Sequence, residues 1–206
     1  MRSGRSFNLL LLAVAALSAA ACSDSNGPGG NIRPPGELNF LRVASTAPPL
    51  FNAVDSFYAK KGVDREVRIF FQDEVGGTGA EYLRLRIDAP TLLAHPDGTP
   101  FAVGDSVLIT VRVVDPAIAL FEMEPSGLTF NPVVPAELKI RYAEADHDFN
   151  EDGVLDGKDD QIETEIGIWR QETVGGNFER LGTLSIEELE ELEADLLGFS
   201  RYAMAY

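Results

Sequence analysis

Tyr82-Leu83-Arg84-Leu85-Arg86-Ile87 sets an aliphatic side chain at every second position, with arginines between them. A period of two is the mark of a strand with one buried face, because successive side chains leave a strand on opposite sides. The pattern recurs outward in both directions. Upstream, Val67, Ile69 and Phe71 alternate with Glu66, Arg68 and Phe70. Downstream, Val107, Ile109, Val111 and Val113 alternate with Leu108, Thr110 and Arg112, and Leu138, Ile140 and Tyr142 with Lys139 and Arg141. Turn-forming residues separate these runs: Gly76-Gly77-Thr78-Gly79, Pro96-Asp97-Gly98, Gly104-Asp105, Pro125-Ser126-Gly127 and Gly175-Gly176-Asn177. Strands in turn-linked succession, without strand-helix alternation, predict an all-β fold, an antiparallel sandwich in which each one-sided sheet covers the other. One short helix is expected at Ser185–Leu192, where Ser185 and Glu188 have capping-box spacing and residues 186, 189 and 192 are apolar. A terminal strand should follow from about Ala194 to Tyr206.

The composition narrows the function. The 206 residues carry 33 acidic and 17 basic side chains, a net charge of -16. Nucleic-acid binding needs Lys and Arg to neutralise phosphates, so no nucleic-acid partner is expected. One Cys and two His are too few for a zinc site built on Cys and His. Residues 1–21 read as a signal peptide: Arg2 and Arg5, then an apolar run from Leu9 to Ala21, too short for a comfortable membrane span. Loss of Arg2 and Arg5 takes the charge from -16 to -18. Leu17 to Cys22 resembles the lipobox of bacterial lipoproteins, in which the Cys is lipidated. That resemblance implies that Cys22 carries the lipid, that the membrane is a partner through it, and that the protein is exported to the cell envelope, with the outer membrane favoured by Ser23. Residues 22–37, rich in Ser, Gly and Pro, are expected to be a disordered tether, and residues 38–206 the folded domain.

Asp146 to Asp160, DHDFNEDGVLDGKDD, is the segment richest in chemistry. Counted from Asp148, oxygen-bearing side chains fall at positions 1 (Asp148), 3 (Asn150), 5 (Asp152), 9 (Asp156) and 12 (Asp159), with Gly153 at position 6 and the Val154 carbonyl at position 7. Ca²⁺ takes six to eight oxygens, and a tight loop gathers them from alternate positions around a glycine that permits the reversal. Leu155 is expected to turn inward as an apolar pin, and His147 to lie outside the ligand register. Asp159 at position 12 makes the run resemble a dockerin loop. Dockerins carry two loops and this chain has one, so their cohesin-binding role is not carried over. Between Asp146 and Glu165 nine acidic residues face a single Lys. Their mutual repulsion makes a divalent cation the expected partner; an acidic loop closed only by Asx-turns is the alternative.

Phe121 to Phe130, followed by Asn131-Pro132-Val133 and Ala136 to Tyr142, is similar to a run in ZU-five domains. Trp169 to Gly182, with Phe178, resembles that family's hairpin, and Gly198-Phe199-Ser200-Arg201-Tyr202-Ala203 its closing strand. The resemblance spans about residues 80–206. It implies a sandwich that serves as a non-catalytic protein-binding or scaffold module, with a protein partner that the sequence does not name. Some family members cut themselves between the Phe and Ser of a His-Phe-Ser motif; here Gly198 stands in place of the His, and His95 would have to supply the base. Self-cleavage at Phe199-Ser200 is therefore an alternative, as is a carbohydrate-binding sandwich using Trp169, Phe178 and Tyr82. A hydrolase has no support: there is no nucleophile elbow, no His-Glu-x-x-His and no Walker loop.

Overall fold

The computed structural model describes residues 31–206. Residues 1–21, read above as a signal peptide, and Cys22 lie outside the described residues. In chain order the elements are β1 (Ile32–Arg33), β2 (Val54–Lys60), β3 (Arg65–Gln72), β4 (Thr78–Ile87), β5 (Leu92–Ala94), β6 (Ser106–Asp115), β7 (Leu120–Glu124), β8 (Thr129–Phe130), β9 (Ala136–Arg141), α1 (Gly157–Glu163), β10 (Gly167–Gln171), β11 (Phe178–Arg180), β12 (Thr183–Ile186), β13 (Glu191–Leu196) and β14 (Arg201–Ala205). They form a seven-stranded sheet in the order β1-β11-β10-β14-β7-β6-β2, a five-stranded sheet in the order β12-β13-β9-β4-β3, and the small pair β5-β8. All named pairings are antiparallel, as the all-β reading expects.

The inner faces of the two large sheets share one core. Val67, Ile69 and Phe71 of β3, Leu83, Leu85 and Ile87 of β4, and Leu138 and Ile140 of β9 meet Ile109, Val111 and Val113 of β6 and Phe121 and Met123 of β7. These are the alternating positions of the sequence, and their intervening residues face outward. Tyr82 departs from the alternation. It is buried beside Leu83 because the β3-β4 register slips near Phe70, and its ring packs 4.7 Å from Phe71 and 5.3 Å from Phe121.

A second apolar cluster lies outside the sandwich. Trp169 of β10, Phe178 of β11, and Ala203 and Ala205 of β14 share a face of the seven-stranded sheet with Leu38, while Phe40 and Leu120 pack at their margin. The chain entering the fold roofs this face. Asn39 and Tyr206 exchange two backbone hydrogen bonds, and the Leu41 N–H donates to the Met204 carbonyl at 2.9 Å. Phe40 stands edge-on to Phe178 at 5.5 Å, and the Arg33 guanidinium lies 5.4 Å from the centre of the Trp169 rings. The stretch read as tether is therefore structured from Ile32 onward, since β11 needs a backbone partner along its outer edge and β1 supplies it.

Two further expectations are corrected. Ser185–Leu192 is not a helix: Thr183–Ile186 is β12, Glu187–Leu189 forms one 3₁₀ turn, Glu190 is left-handed with φ 48°, and the chain returns as β13. The cross-strand places of Leu192 and Ala194 opposite Ile140 and Leu138 outweigh the helical propensity of the glutamates. Nor is the terminal segment one strand. Residues 197–200 leave β13, pair with the chain around β8 and lead into β14 of the other sheet.

The outer edge of β3 is covered by the segment before β2. Phe51 N–H donates to the Phe70 carbonyl and Gln72 N–H to the Pro49 carbonyl, both at 2.8 Å. The Asn52 amide completes the cover, accepting from Phe70 N–H at 2.9 Å and donating to the Arg68 carbonyl at 3.0 Å.

Candidate metal loop and neighbouring sites

The acidic segment leaves β9 and returns through α1 to β10, an excursion from the end of the five-stranded sheet. Two anchors fix it. Phe149 is buried next to Tyr206, with ring centres 6.2 Å apart, and the Tyr206 hydroxyl donates to the Phe149 carbonyl. At the far side the Tyr142 hydroxyl donates to Glu163 Oε1 of α1 at 3.0 Å. Burial and the neighbouring Glu163 charge both push the Tyr142 phenol well above its ordinary range.

Within the loop the candidate ligands fold around Gly153. The two carboxylate oxygens of Asp148 accept from the N–H groups of Asp152 at 3.1 Å and Gly153 at 2.8 Å. Asn150 Oδ1 accepts from Asp152 N–H at 2.8 Å, and Asp152 Oδ1 from Val154 N–H at 3.0 Å. Gly153 has φ 81°, the left-handed conformation that the reversal requires and that glycine adopts without penalty.

Asp159 closes the loop. It is buried, and its two oxygens accept from Asn150 N–H at 3.2 Å and Asp156 N–H at 2.9 Å, tying position 12 to positions 3 and 9. Asp156 in turn caps α1, its side chain accepting from Lys158 N–H at 2.8 Å, so the capping box that the spacing predicts at Ser185 is formed instead by Asp156 and Asp159. The Asp156 N–H, with help from Asn150 and Phe149, holds the Asp159 carboxyl below the usual carboxylate range.

Lys158 lies against two members of the acidic group from the solvent side. Its ammonium lies 2.9 Å from Asp152 Oδ2 and 3.6 Å from Asp156 Oδ2, and it is the leading cause of a lowered Asp152 carboxyl. Among the described residues no three acidic, His or Cys side chains converge closely enough to hold a metal ion. The donor set still suits calcium chemically, since Asp148, Asn150, Asp152, Asp156, Asp159 and the Val154 carbonyl are all hard oxygen donors on a loop that is already closed. Leu155 corrects the expectation of an inward pin: it is 71% exposed, because Phe149 already fills the apolar position beneath the loop. His147 lies beside the loop, with Nε2 3.6 Å from Glu190.

Comparison with known proteins finds no matching family model, no matching curated protein and no matching solved structure. The likeness to ZU-five domains and to dockerin loops thus rests on the quoted residues alone. Among the described residues no helix is long and apolar enough to cross a membrane.

At the other position singled out for chemistry, Ser200 is 4% exposed and its Oγ accepts from Arg170 Nε at 3.1 Å. A guanidinium stays protonated and only donates, so this neighbour offers Ser200 no base. A Cβ at Gly198 would lie 2.7 Å from the Leu128 carbonyl oxygen, which explains why no larger residue stands there. His95 stacks on Phe101 with ring centres 3.6 Å apart. Trp169, Phe178 and Tyr82, the aromatics weighed for sugar binding, are all buried.

Proposed function

We propose that the chain is an envelope-tethered, calcium-binding lipoprotein whose sandwich acts as a non-catalytic scaffold or protein-binding module. The observation that carries this reading is the loop from Asp148 to Asp159, whose oxygen donors stand at the spacing of a calcium loop and which is closed on itself through Asp159. Calcium would be held by Asp148, Asn150, Asp152, Asp156 and Asp159 with the Val154 carbonyl, and the Lys158 ammonium would be displaced as it enters. Outside the cytosol calcium is abundant, so a dissociation constant of about 10⁻⁴ to 10⁻³ M suffices for a structural site. The tether reading adds Cys22 as the lipidated residue, and the scaffold reading rests on the ZU-five resemblance.

Thermal melting in chelator and in millimolar calcium tests the metal. At ten times its dissociation constant, calcium adds about 1.4 kcal/mol, or roughly 3 to 5 °C in a domain of this size. The double substitution Asp148→Ala with Asp152→Ala should abolish the increase, and coincident wild-type curves would refute calcium binding. Mass analysis of the exported protein tests lipidation at Cys22, and a pull-down from the envelope fraction, with and without calcium, tests for a partner.

A further inference from the structure

An open cleft of about 510 Å³ lies where β11 and β12 pass from one sheet to the other. Leu181 and Leu197, with Pro132 and Pro135, supply its apolar wall, and Arg170, Glu179 and Asp195 bring charge to it. Arg170 is fixed from behind by its Nε bond to the buried Ser200 hydroxyl. Its paired acid, Glu172, has a side chain 66% exposed and is not among the residues lining the cleft. The Arg170 side chain is largely covered while Glu172 reaches it from solvent, so a ligand carboxylate entering from the cleft can take the place of Glu172 on the guanidinium. Glu179 and Asp195 form no ion pair among the described residues.

A simple anion would satisfy Arg170 but meet both carboxylates, and a simple cation would do the reverse. A molecule carrying both charges next to an apolar group satisfies the cleft as a whole. Such sites, mostly apolar with a few convergent polar groups, are the usual form of small-ligand pockets, and this volume lies in their range. We propose that the cleft binds a zwitterionic α-amino acid with an aliphatic side chain, its carboxylate on Arg170, its ammonium toward Glu179 and Asp195, and its side chain against Leu181 and Leu197. The binding is independent of calcium.

Calorimetric titration of the full chain tests this with three probes: leucine, 4-methylpentanoate, which lacks the ammonium, and 3-methylbutylamine, which lacks the carboxylate. Leucine should bind with a dissociation constant on the order of 1 mM, the range open to a ligand of so few atoms, and each analogue at least about tenfold more weakly. Glu179→Gln with Asp195→Asn should weaken leucine about tenfold while leaving 4-methylpentanoate no weaker. Arg170→Gln should abolish leucine binding and Arg170→Lys should restore part of it; the rim pair decides the matter if Arg170→Gln does not fold. Absence of leucine binding at 20 mM (about twenty times the expected constant), equal binding of leucine and either analogue, or indifference to the rim substitutions would overturn the proposal.

Discussion

The indole N–H of Trp169 donates to the backbone carbonyl of Ala205 at 2.9 Å, on the face of the seven-stranded sheet that turns away from the main core. Trp169 is the single tryptophan of the chain, so its emission reports on that face alone. Leu38 is 6% exposed and covers it from the entering segment. Leu38→Ala should cost about 2 to 3 kcal/mol in urea unfolding and shift the native emission to the red. An unshifted maximum would mean that Leu38 does not shield the indole.

Gly198→Ala should destabilise by about 1 to 3 kcal/mol, because the new methyl group would press on the Leu128 backbone and not on a side chain able to swing aside. Gly182 has nothing within 4 Å of its missing Cβ, so Gly182→Ala is the control and should stay within about 0.5 kcal/mol of wild type. Equal urea midpoints for the two variants would contradict the close approach at residue 198.

Glu191 is buried in β13, with Arg141 Nε 3.1 Å and Lys139 Nζ 3.4 Å from its oxygens. Burial pushes its carboxyl up, but the Arg141 hydrogen bond and the Lys139 charge outweigh that and hold it below the ordinary glutamate value. A carboxyl lowered in the fold stabilises at any pH above its unfolded value, about 4.3, and loses that contribution as pH falls through its folded value. Glu191→Gln should therefore cost about 1 to 3 kcal/mol at pH 7 (a rough range) and much less at pH 3. A penalty of the same size at both pH values would show that the charge is not what stabilises.

Lys158→Ala removes the ammonium that lies against Asp152 and Asp156. On the calcium reading this side chain competes with the metal, so the substitution should tighten calcium binding about two- to fivefold, the scale of an exposed ion pair. Weaker binding in the variant would show that Lys158 supports the loop and does not oppose the metal.

The strands were readable because their signal is local. Each of Val67, Leu83, Ile109 and Leu138 belongs to a run in which burial alternates residue by residue, and the sheets preserve it everywhere but at Tyr82. What failed depended on partners distant in sequence. Glu191 looks like one more solvent-facing helical glutamate until Arg141 and Lys139 lie across the strand from it. Ile32 and Arg33 look like parts of a linker until Glu179 and Phe178 of β11 give their backbone a partner. In the acidic loop the spacing of oxygens was plain, and so was the glycine. The second use of Asp156 and Asp159, as the box that starts α1, was also present as an Asp-x-x-Asp spacing, masked by their reading as ligands.

The segment laid along β3 has a consequence for crowding. A bare strand edge recruits other strands, and copies held at high density on a surface would be at risk of stacking into fibrils. Here Pro49 to Asn52 occupies the hydrogen-bonding positions that a neighbour would need. At the edge of the other large sheet, β2 keeps Asp55 on the side of the strand that carries Phe57 and Ala59 inward, and Lys60 at its end. A foreign strand adding there would have to cover that carboxylate, so these two edges resist uncontrolled growth by different means.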